Sequence, residues 1–205
     1  MSLYSKYFLP YLLDLTLRNR EAARLRRKWI PKARGQVLEI GIGSGLNLPF
    51  YSSQVERVWG VDPSRELLKM ARRRANELPF EIEFLEQSAD AALPIDSATV
   101  DTVVVTWSLC TIGNPLPALE EARRVMKPRG QLVFIEHGRS PDAPVAAWQD
   151  RLTPVWKLLA GGCTLNRPMV ELVTTAGFAV SELTTGYIPG PRPMTYTYEG
   201  SARIA

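Results

Sequence analysis

The sequence predicts an α/β fold: a doubly wound, Rossmann-like seven-stranded sheet with N-terminal helices and a C-terminal antiparallel hairpin. Three observations predict it. Short β-branched runs alternate with amphipathic segments of helical period over residues 36–176, as in parallel strands joined by crossover helices. The run Val37–Ile40 opens into three alternate glycines, and the run Val58–Val61 ends in an acid about 20 residues after the first glycine. Two strand-like runs, 178–183 and 194–198, close the chain.

The N-terminal segment, residues 3–30, predicts one or two helices. An apolar stripe at helical spacing supports this prediction, and it consists of Tyr4, Phe8, Tyr11, Leu12 and Leu15. We expect these helices to cover the edge of the sheet where a ligand binds. The alternative is a helix packed on the flank of the domain.

The net charge of +4 is concentrated in residues 18–34, which hold eight Lys or Arg against the single acid Glu21. A solvated helix face is the simpler explanation, and peripheral contact with anionic lipid or binding of nucleic acid is the alternative. The apolar piece Tyr7–Leu17 is interrupted by Pro10 and Asp14 and is too short for the ~30 Å of a bilayer core. We therefore expect no signal peptide and no transmembrane helix. No nucleic-acid partner is expected either.

The first half of the predicted sheet follows in order. A strand at 36–40 leads into the glycine loop and a helix from near residue 45. A second strand, 56–61, is followed by a helix from Ser64 to Glu77, and Arg72, Arg73 and Arg74 are expected to face water. Residues Phe80–Leu85 alternate acidic and apolar side chains, which is typical of an edge strand.

The second half begins with Asp101–Thr106, whose β-branched run predicts a central strand covered on both faces. A helix at 115–127, a strand at 131–136 and a helix at 168–176 follow. Between them, residues 144–161 predict a helix that Pro154 kinks, with Trp148, Leu152, Trp156 and Leu159 on one face. We expect this face to close an apolar pocket.

A chain of 205 residues is long enough for one sizeable core, so a single domain is predicted. Its parts are a helical cap at 1–34, a cofactor-binding core at 35–138, a helical insertion or lid at 139–177 and closing strands at 178–205.

The loop after the first strand has the pattern E-x-G-x-G-x-G, and its candidate ligand-binding residues are Glu39, Gly41, Gly43, Gly45 and Asn47. A dinucleotide loop would need a glycine at the position of Leu46, and a carboxylate would repel a pyrophosphate. The loop therefore favours a cationic ligand without phosphate. Asp62, followed by Pro63, is placed to bind ribose hydroxyls, although Asp62-Pro63-Ser64 is also a good helix start.

Residues just past the ends of the central strands are expected to face the same crevice. They are Thr106, Trp107 and Ser108 after one strand and His137 after the next. A lone His is more often structural, yet one at this place is a candidate for a role toward the substrate. Cys110 and Cys163 lie in unrelated sequence contexts without metal-ligand spacing, so no metal site and a reducing, cytoplasmic compartment are expected.

Several motifs together resemble class I S-adenosylmethionine-dependent methyltransferases of the ubiquinone-methyltransferase-like group (methyltransferase type 11). They are V-L-E-I-G-I-G-S-G at 37–45, V-D-P-S at 61–64, A-L-P at 92–94, V-D-T-V-V at 100–104 and R-R-V-M-K-P-R-G at 123–130. Further motifs are similar to the family that includes the microsomal alkyl-thiol methyltransferases: L-C-T-I at 109–112, E-H-G at 136–138, W-K-L-L-A-G-G-C-T-L-N-R at 156–167 and Y-T-Y-E-G-S-A at 196–202. The resemblance departs at the N-terminus, where the animal members carry a hydrophobic membrane anchor.

The resemblance implies S-adenosylmethionine as the cofactor and methyl transfer to a small, partly apolar acceptor as the activity. It places the adenine at Ser88, Ala89 and Asp90, without choosing among them. A thiol is the favoured acceptor, with His137, Trp107 and Ser108 as the wall that it approaches, and Cys163 and Arg167 as further candidates for that wall. An amine or phospholipid N-methyltransferase is the enzymatic alternative, and a non-catalytic cofactor- or nucleic-acid-binding module is the alternative from another class.

Overall fold

A computed structural model describes residues 4–76 and 78–205. Its seven strands form one sheet of order β3-β2-β1-β4-β5-β7-β6. The strands are β1 Gly35–Ile40, β2 Val55–Val61, β3 Glu81–Leu85, β4 Val100–Thr106, β5 Met126–His137, β6 Phe178–Tyr187 and β7 Tyr196–Ile204. The α-helices are α1 Leu9–Thr16, α2 Arg20–Trp29, α3 Arg65–Arg74, α4 Pro115–Val125, α5 Ala143–Leu159, α6 Met169–Thr175 and α7 Arg192–Thr195. A π-helical turn, Tyr4–Phe8, precedes α1.

The topology confirms the predicted doubly wound sheet with its hairpin. Strand β1 pairs in parallel with both β2 and β4, so the strand order reverses beside it. Strand β7 lies antiparallel between β5 and β6, and β3 is at the opposite edge, as its alternating sequence indicated. A crevice forms where the order reverses, and ligands of open α/β sheets bind there.

The core lies in two layers on either side of the sheet. Val103 and Val105 of β4 point into one layer and Val104 into the other, and all three are fully buried. This burial on both faces explains why the central strand is a continuous β-branched run rather than an alternating one.

The segment after the glycine loop differs from the prediction. No α-helix begins near residue 45; the chain turns and then forms one 3₁₀ turn, Leu48–Phe50, with Pro49 inside it. The side chain of Asn47 is hydrogen-bonded into the site instead of facing outward, and β2 begins at Val55. The crossover between β1 and β2 thus contains a single 3₁₀ turn where an α-helix was predicted.

Other element boundaries also shift. Helix α3 starts after its predicted cap Ser64 and ends at Arg74, and the predicted end at Glu77 lies outside the described residues. Strand β5 begins at Met126 rather than at residue 131. Met126 pairs with Val100 of β4, and the register then shifts so that Gln131 pairs with Thr102.

The apolar stripe of the N-terminal segment faces solvent. Phe8 and Leu15 are each 69 % exposed, and Tyr4, Tyr11 and Leu12 are exposed as well. The opposite face of α1 is buried, and it carries Leu9, Pro10 and Asp14. The ion-paired Asp14 therefore lies on the inner face of α1, a position that the apolar periodicity did not indicate.

The predicted face of α5 also needs correction. Trp148 is 54 % exposed and Leu159 is exposed, whereas the buried face carries Ala146, Gln149 and Thr153. Gln149 donates to the Gly138 carbonyl at 2.9 Å and accepts from the Ser140 amide at 2.8 Å. The polar side chain is buried because the loop after β5 has backbone groups that need these bonds.

Across 4–76 and 78–205, no helix combines the length and the apolar character that crossing a bilayer requires.

Candidate cofactor and acceptor site

A cavity of about 380 Å³ lies at the carboxyl ends of β1, β2 and β4, beneath α1. Its volume is in the range of small-molecule sites, roughly 300 to 1,000 Å³. Of the predicted site residues, Gly41, Gly43, Asn47, Asp62, Pro63, Ser88, Ala89, Asp90, Thr106, Trp107 and Ser108 line it. Glu39, Gly45 and His137 do not, and within 139–177 only Gly161 reaches it. The cap over the cavity is thus the N-terminal region rather than α5.

Gly41 and Gly43 shape the loop differently, although both have left-handed φ angles, 68° and 54°. A Cβ on Gly41 would lie 1.9 Å from Ser108 Oγ, so this glycine permits a close approach of two loops. A Cβ on Gly43 would have only the Gly41 carbonyl oxygen, at 3.8 Å, within 4 Å. The backbone at Gly43 is therefore open to a ligand. Gly45 instead packs its backbone on Ala71 of α3.

Asp62 connects the glycine loop to the start of α3. Its Oδ2 accepts from the Gly43 amide at 3.0 Å and its Oδ1 from the Ser64 amide at 2.7 Å. Burial raises the pKa of Asp62 to about 6, against these two hydrogen bonds. Each carboxylate oxygen can accept a further hydrogen bond, and Asp62 lines the cavity.

Glu39 organises the loop from behind the cavity. Its Oε1 accepts from Asn47 Nδ2 at 2.8 Å and its Oε2 from the Tyr51 hydroxyl at 2.7 Å. Asn47 Nδ2 also donates to Thr106 Oγ1 at 2.9 Å. Burial raises the pKa of Glu39 to about 7, although Tyr51 and Asn47 lower it. Glu39 is therefore a positioning residue for Asn47 and Thr106, which face the cavity.

Arg26 is a residue of the site that the sequence prediction missed. Although it belongs to the basic segment 18–34, it is buried and lines the cavity. Its Nε donates to Asn47 Oδ1 at 2.9 Å, and its guanidinium lies 4.9 Å from the centre of the Trp107 ring. Burial lowers its pKa to about 10. The sequence did contain a signal for the burial of Arg26, which lies at helical spacing from Ala22 and Trp29. Arg26, Ala22 and Trp29 share the buried face of α2.

Asp14 is a second missed residue, on the inner face of α1. It accepts from Ser44 Oγ at 2.6 Å and pairs with Arg74 Nη2 at 2.8 Å and with Arg18. Burial raises its pKa, but Ser44 and Arg74 outweigh this and hold the pKa below its usual value. Arg74, predicted to face water, is instead half-buried and also donates to the Ser44 carbonyl. These bonds tie the cap to the glycine loop and to α3.

The loop after β4 forms one wall of the cavity. Trp107 has a left-handed φ of 49°, which is unusual for a bulky residue and is often found at functional sites. Glu136, at the end of β5, holds the next turn: its carboxylate accepts from the amides of Ser108 at 2.6 Å, Leu109 at 2.9 Å and Cys110 at 3.4 Å. Burial raises the pKa of Glu136 to about 7 despite these bonds.

His137 lies behind this wall and does not line the cavity. Its Nε2 is 2.8 Å from Cys163 Sγ. Cys110, His137 and Cys163, which seemed unrelated in sequence, come together with their ligand atoms within 4.8 Å of one another. Arg167 also lies outside the cavity and donates to the Ile112 carbonyl at 3.0 Å. Five side chains were predicted to form the acceptor wall. Trp107 and Ser108 line the cavity, whereas His137, Cys163 and Arg167 do not.

Comparison with known proteins agrees with this geometry. A family model described as "Methyltransferase domain" matches residues 38–134. The chain is 31 % identical over 192 residues to the thiol S-methyltransferase TMT1B of Rattus norvegicus, covering 87 % of this chain and 78 % of that protein. It is 35 % identical over 119 residues to the phosphatidylethanolamine N-methyltransferase of Cereibacter sphaeroides, covering 58 % of each.

A solved structure of a SAM-dependent methyltransferase from Thermotoga maritima superimposes with a TM-score of 0.70 at 18 % identity over 98 % of both chains, which agrees in fold. The relationship to TMT1B extends over most of both proteins, and the cavity is lined by the open backbone of Gly43 and by the carboxylate of Asp62. The chain therefore belongs to the class I S-adenosylmethionine-dependent methyltransferases, in the same family as the thiol S-methyltransferase TMT1B.

Proposed function

We propose that this enzyme methylates a small, partly apolar thiol with S-adenosylmethionine as the methyl donor. The observation that carries the choice of acceptor is the cavity wall formed by α1 and the loop after β4. Its side chains are mostly apolar and include Leu9, Leu13, Leu17, Trp107 and Ile112. The one acid on this wall, Asp14, is already paired with arginines. An ammonium acceptor would need a free acid or an aromatic cage, whereas a large, polarizable sulfur would not.

The cofactor residues follow from the same cavity. Asp62 would hold the ribose, and the turn at Ser88, Ala89 and Asp90 would hold the adenine beside Pro63. Arg26 and Asn47 would receive the amino-acid end, because a guanidinium suits a carboxylate. Gly41 and Gly43 would bring backbone against the ligand, with Thr106 beside them. Glu39 and Gly45 would act indirectly, through Asn47 and through packing on α3.

When bound, the cofactor supplies a methyl group already activated by a sulfonium. The protein therefore needs to align the acceptor, exclude water and bind the sulfur near the methyl group. The cap residues Leu9 and Leu13 would exclude water, and Trp107 and Ser108 would limit the direction of approach. A thiol of pKa ~8.5 is already partly ionised near neutral pH, so a dedicated base is not required.

A direct assay tests the proposal. The protein is incubated with methyl-labelled cofactor and a panel of alkyl thiols, amines, phenols and lipid vesicles. We expect the highest kcat/KM with an apolar thiol, and a rate that climbs with pH toward the pKa of that thiol. A rate that is flat in pH, or a preference for an amine over every thiol, would refute the choice of sulfur.

A second candidate function, phospholipid N-methylation, is favoured by an exposed apolar surface beside the cavity. We name this surface the outer face; it comprises the exposed side chains Tyr4, Tyr7, Phe8, Tyr11, Leu12 and Leu15, with Val155, Leu158 and Leu159 of α5. The Tyr4 hydroxyl donates to the Leu159 carbonyl at 2.9 Å and so joins the two parts. Exposed basic side chains follow directly in the chain, at Arg18, Arg20, Arg24, Arg27 and Lys28.

An apolar face flanked by cations suits peripheral contact with an anionic bilayer. In that case the residues of 18–34 would contact headgroups, and α1 would lie between the lipid and the cavity. Co-sedimentation with anionic and zwitterionic vesicles tests the contact. Leu15→Asp should abolish binding, whereas Leu183→Asp, on an exposed side chain of β6, should not. Label transfer to phosphatidylethanolamine in the same vesicles would favour this second function over the first.

A further inference from the structure

The two cysteines and the single histidine of this chain converge behind the cavity wall. Cys110 follows β4, His137 ends β5, and Cys163 follows α5, so three separate segments contribute one side chain each. Their ligand atoms all lie within 4.8 Å of one another. We propose that Cys110, His137 and Cys163 bind a zinc-class d¹⁰ metal ion, with a fourth coordination position left for an exogenous ligand.

The distances suit such an ion with small adjustments. Zn–S bonds of about 2.3 Å and Zn–N bonds of about 2.0 Å place ligand atoms of a tetrahedral site roughly 3.5 to 4 Å apart. All three pairs lie within the observed 4.8 Å limit. His137 Nε2 and Cys163 Sγ are 2.8 Å apart and would separate by less than about 1 Å to admit the ion. Rotations of side chains can supply this movement without moving the strands.

Cys110 and Cys163 are both buried. Binding of the ion would displace the protons of the two thiols, which is the usual consequence of metal binding to cysteine.

Charge and ligand chemistry together indicate the class of ion. Two thiolates and an imidazole select zinc or a monovalent copper ion among common metals. The two thiolates carry two negative charges within the ligand set itself. A divalent ion neutralises these charges, whereas a monovalent ion leaves one negative charge uncompensated. Burial makes that imbalance costly, so zinc is the better fit.

Among the His, Cys, Asp and Glu side chains that the structure describes, the cluster has three members, so an exogenous atom would fill the fourth position. The surrounding loops are held firmly: the Thr164 amide donates to the Cys110 carbonyl at 2.8 Å, and Arg167 donates to Thr164 Oγ1 at 3.2 Å. A site with three fixed ligands and one exchangeable position is the arrangement that zinc adopts where it binds an exogenous atom. The inference does not depend on which acceptor the enzyme methylates.

Cobalt substitution tests the site in the full-length protein. The apo protein, kept reduced with a phosphine, is titrated with Co²⁺ and then with Zn²⁺. We expect about one ion per chain, with thiolate-to-cobalt charge-transfer and tetrahedral d–d bands that zinc abolishes. Saturating zinc should also raise Tm by roughly 5 to 10 °C. A folded wild-type protein without these bands, or with both thiols still freely alkylated in excess zinc, would overturn the proposal.

Variants assign the ligands. Cys110→Ser and Cys163→Ser should remove the charge-transfer band or weaken it strongly, and His137→Gln should lower zinc affinity at least about tenfold. The matched control is Met169→Leu, which removes another buried sulfur near the cluster and should leave the bands unchanged. Circular dichroism identifies any variant that fails to fold, and the wild-type titration decides the proposal in that case. Unchanged zinc affinity in all three folded ligand variants would contradict it.

Discussion

Glu39 and Glu136 occupy equivalent places in the sheet but hold different kinds of partner. Each is the second-to-last residue of its strand, Glu39 in β1 and Glu136 in β5. Glu39 has 1 % of its surface exposed and Glu136 has 0 %. Burial raises the pKa of each to about 7. Glu39 binds the side chains of Asn47 and Tyr51, whereas Glu136 binds three consecutive backbone amides after β4.

The difference separates two regions of the site. Side chains can rotate and exchange partners, so the region around Glu39 can adjust when a ligand binds beside Asn47. Backbone amides cannot rotate away without moving the loop, so the wall around Glu136 is held in one conformation. One buried carboxylate thus holds side chains that can rearrange, and the other holds a backbone turn that cannot.

The largest expected effect comes from Glu136→Ala. Three buried amides would lose their acceptor, and each unsatisfied group costs about 1 to 3 kcal/mol. The free energy of unfolding should fall by at least about 3 kcal/mol, a large part of the stability of a typical domain. Urea denaturation of the purified variant measures it.

Glu136→Gln is the matched control, since its amide oxygen retains one acceptor for Ser108 and Leu109. It should recover part of the loss. If Glu136→Ala unfolds at the same urea concentration as the wild type, the wall is not held by this carboxylate and the comparison fails.

Asp62→Ala should act on binding as well as on the fold, because the amides of Gly43 and Ser64 also lose their acceptor. A ribose would lose a charge-assisted partner, which corresponds to about 1.5 to 3 kcal/mol, or a ten- to hundredfold loss of affinity for S-adenosylmethionine. Isothermal calorimetry with the cofactor and with its homocysteine product measures this loss. Asp90→Ala, on the adenine side, is the comparison variant and should cost less because Asp90 is exposed. An unchanged affinity in Asp62→Ala would remove Asp62 from the site.

Glu39→Ala sharpens the contrast with Glu136. Asn47 keeps Thr106 and Arg26 as partners, but one hydrogen of Asn47 Nδ2 and the Tyr51 hydroxyl both lose their acceptor, so the stability loss should be about 2 kcal/mol. Cofactor affinity should also fall, because Asn47 loses its orientation. Tyr51→Phe separates the two effects, as it should leave affinity near the wild-type value. A stability loss as large as that of Glu136→Ala would show that both acids play the same role.

The smallest effect is the pH dependence of the cofactor region. Because the folded-state pKa of Asp62 is raised to about 6 and that of Glu39 to about 7, the folded protein binds more protons than the unfolded chain between roughly pH 4 and pH 7. The contribution of these two acids to the free energy of unfolding is fully present below that pH window. It is lost as the pH rises through the window.

Binding of a cationic cofactor favours the ionised acids. We therefore expect ionisation of Asp62 alone to raise affinity roughly fourfold from pH 5.5 to 7.5, and ionisation of Glu39 to add to this rise, with proton release on binding. Calorimetry in buffers of different ionisation enthalpy measures both quantities. The slope should vanish in an Asp62→Asn, Glu39→Gln double variant, and a slope that persists there would assign the protons to other groups.

The sequence alone predicted the sheet and most of its contents, because the relevant signals are local. Apolar periodicity distinguishes strands from helices, alternate glycines mark a tight loop, and acids at strand ends face one edge of a parallel sheet. Gly41, Gly43, Asp62 and Thr106 were located in this way, and all of them line the cavity.

Long-range contacts explain what the sequence could not predict. A helix pattern indicates which residues share a face, but not whether that face meets solvent or an acid from another segment, so the outer face and the inner position of Asp14 were missed. Arg26 lies 21 positions before the Asn47 that it binds, and Cys110, His137 and Cys163 come from three different segments. Such contacts depend on how separate elements pack together, and no spacing along the chain records that packing.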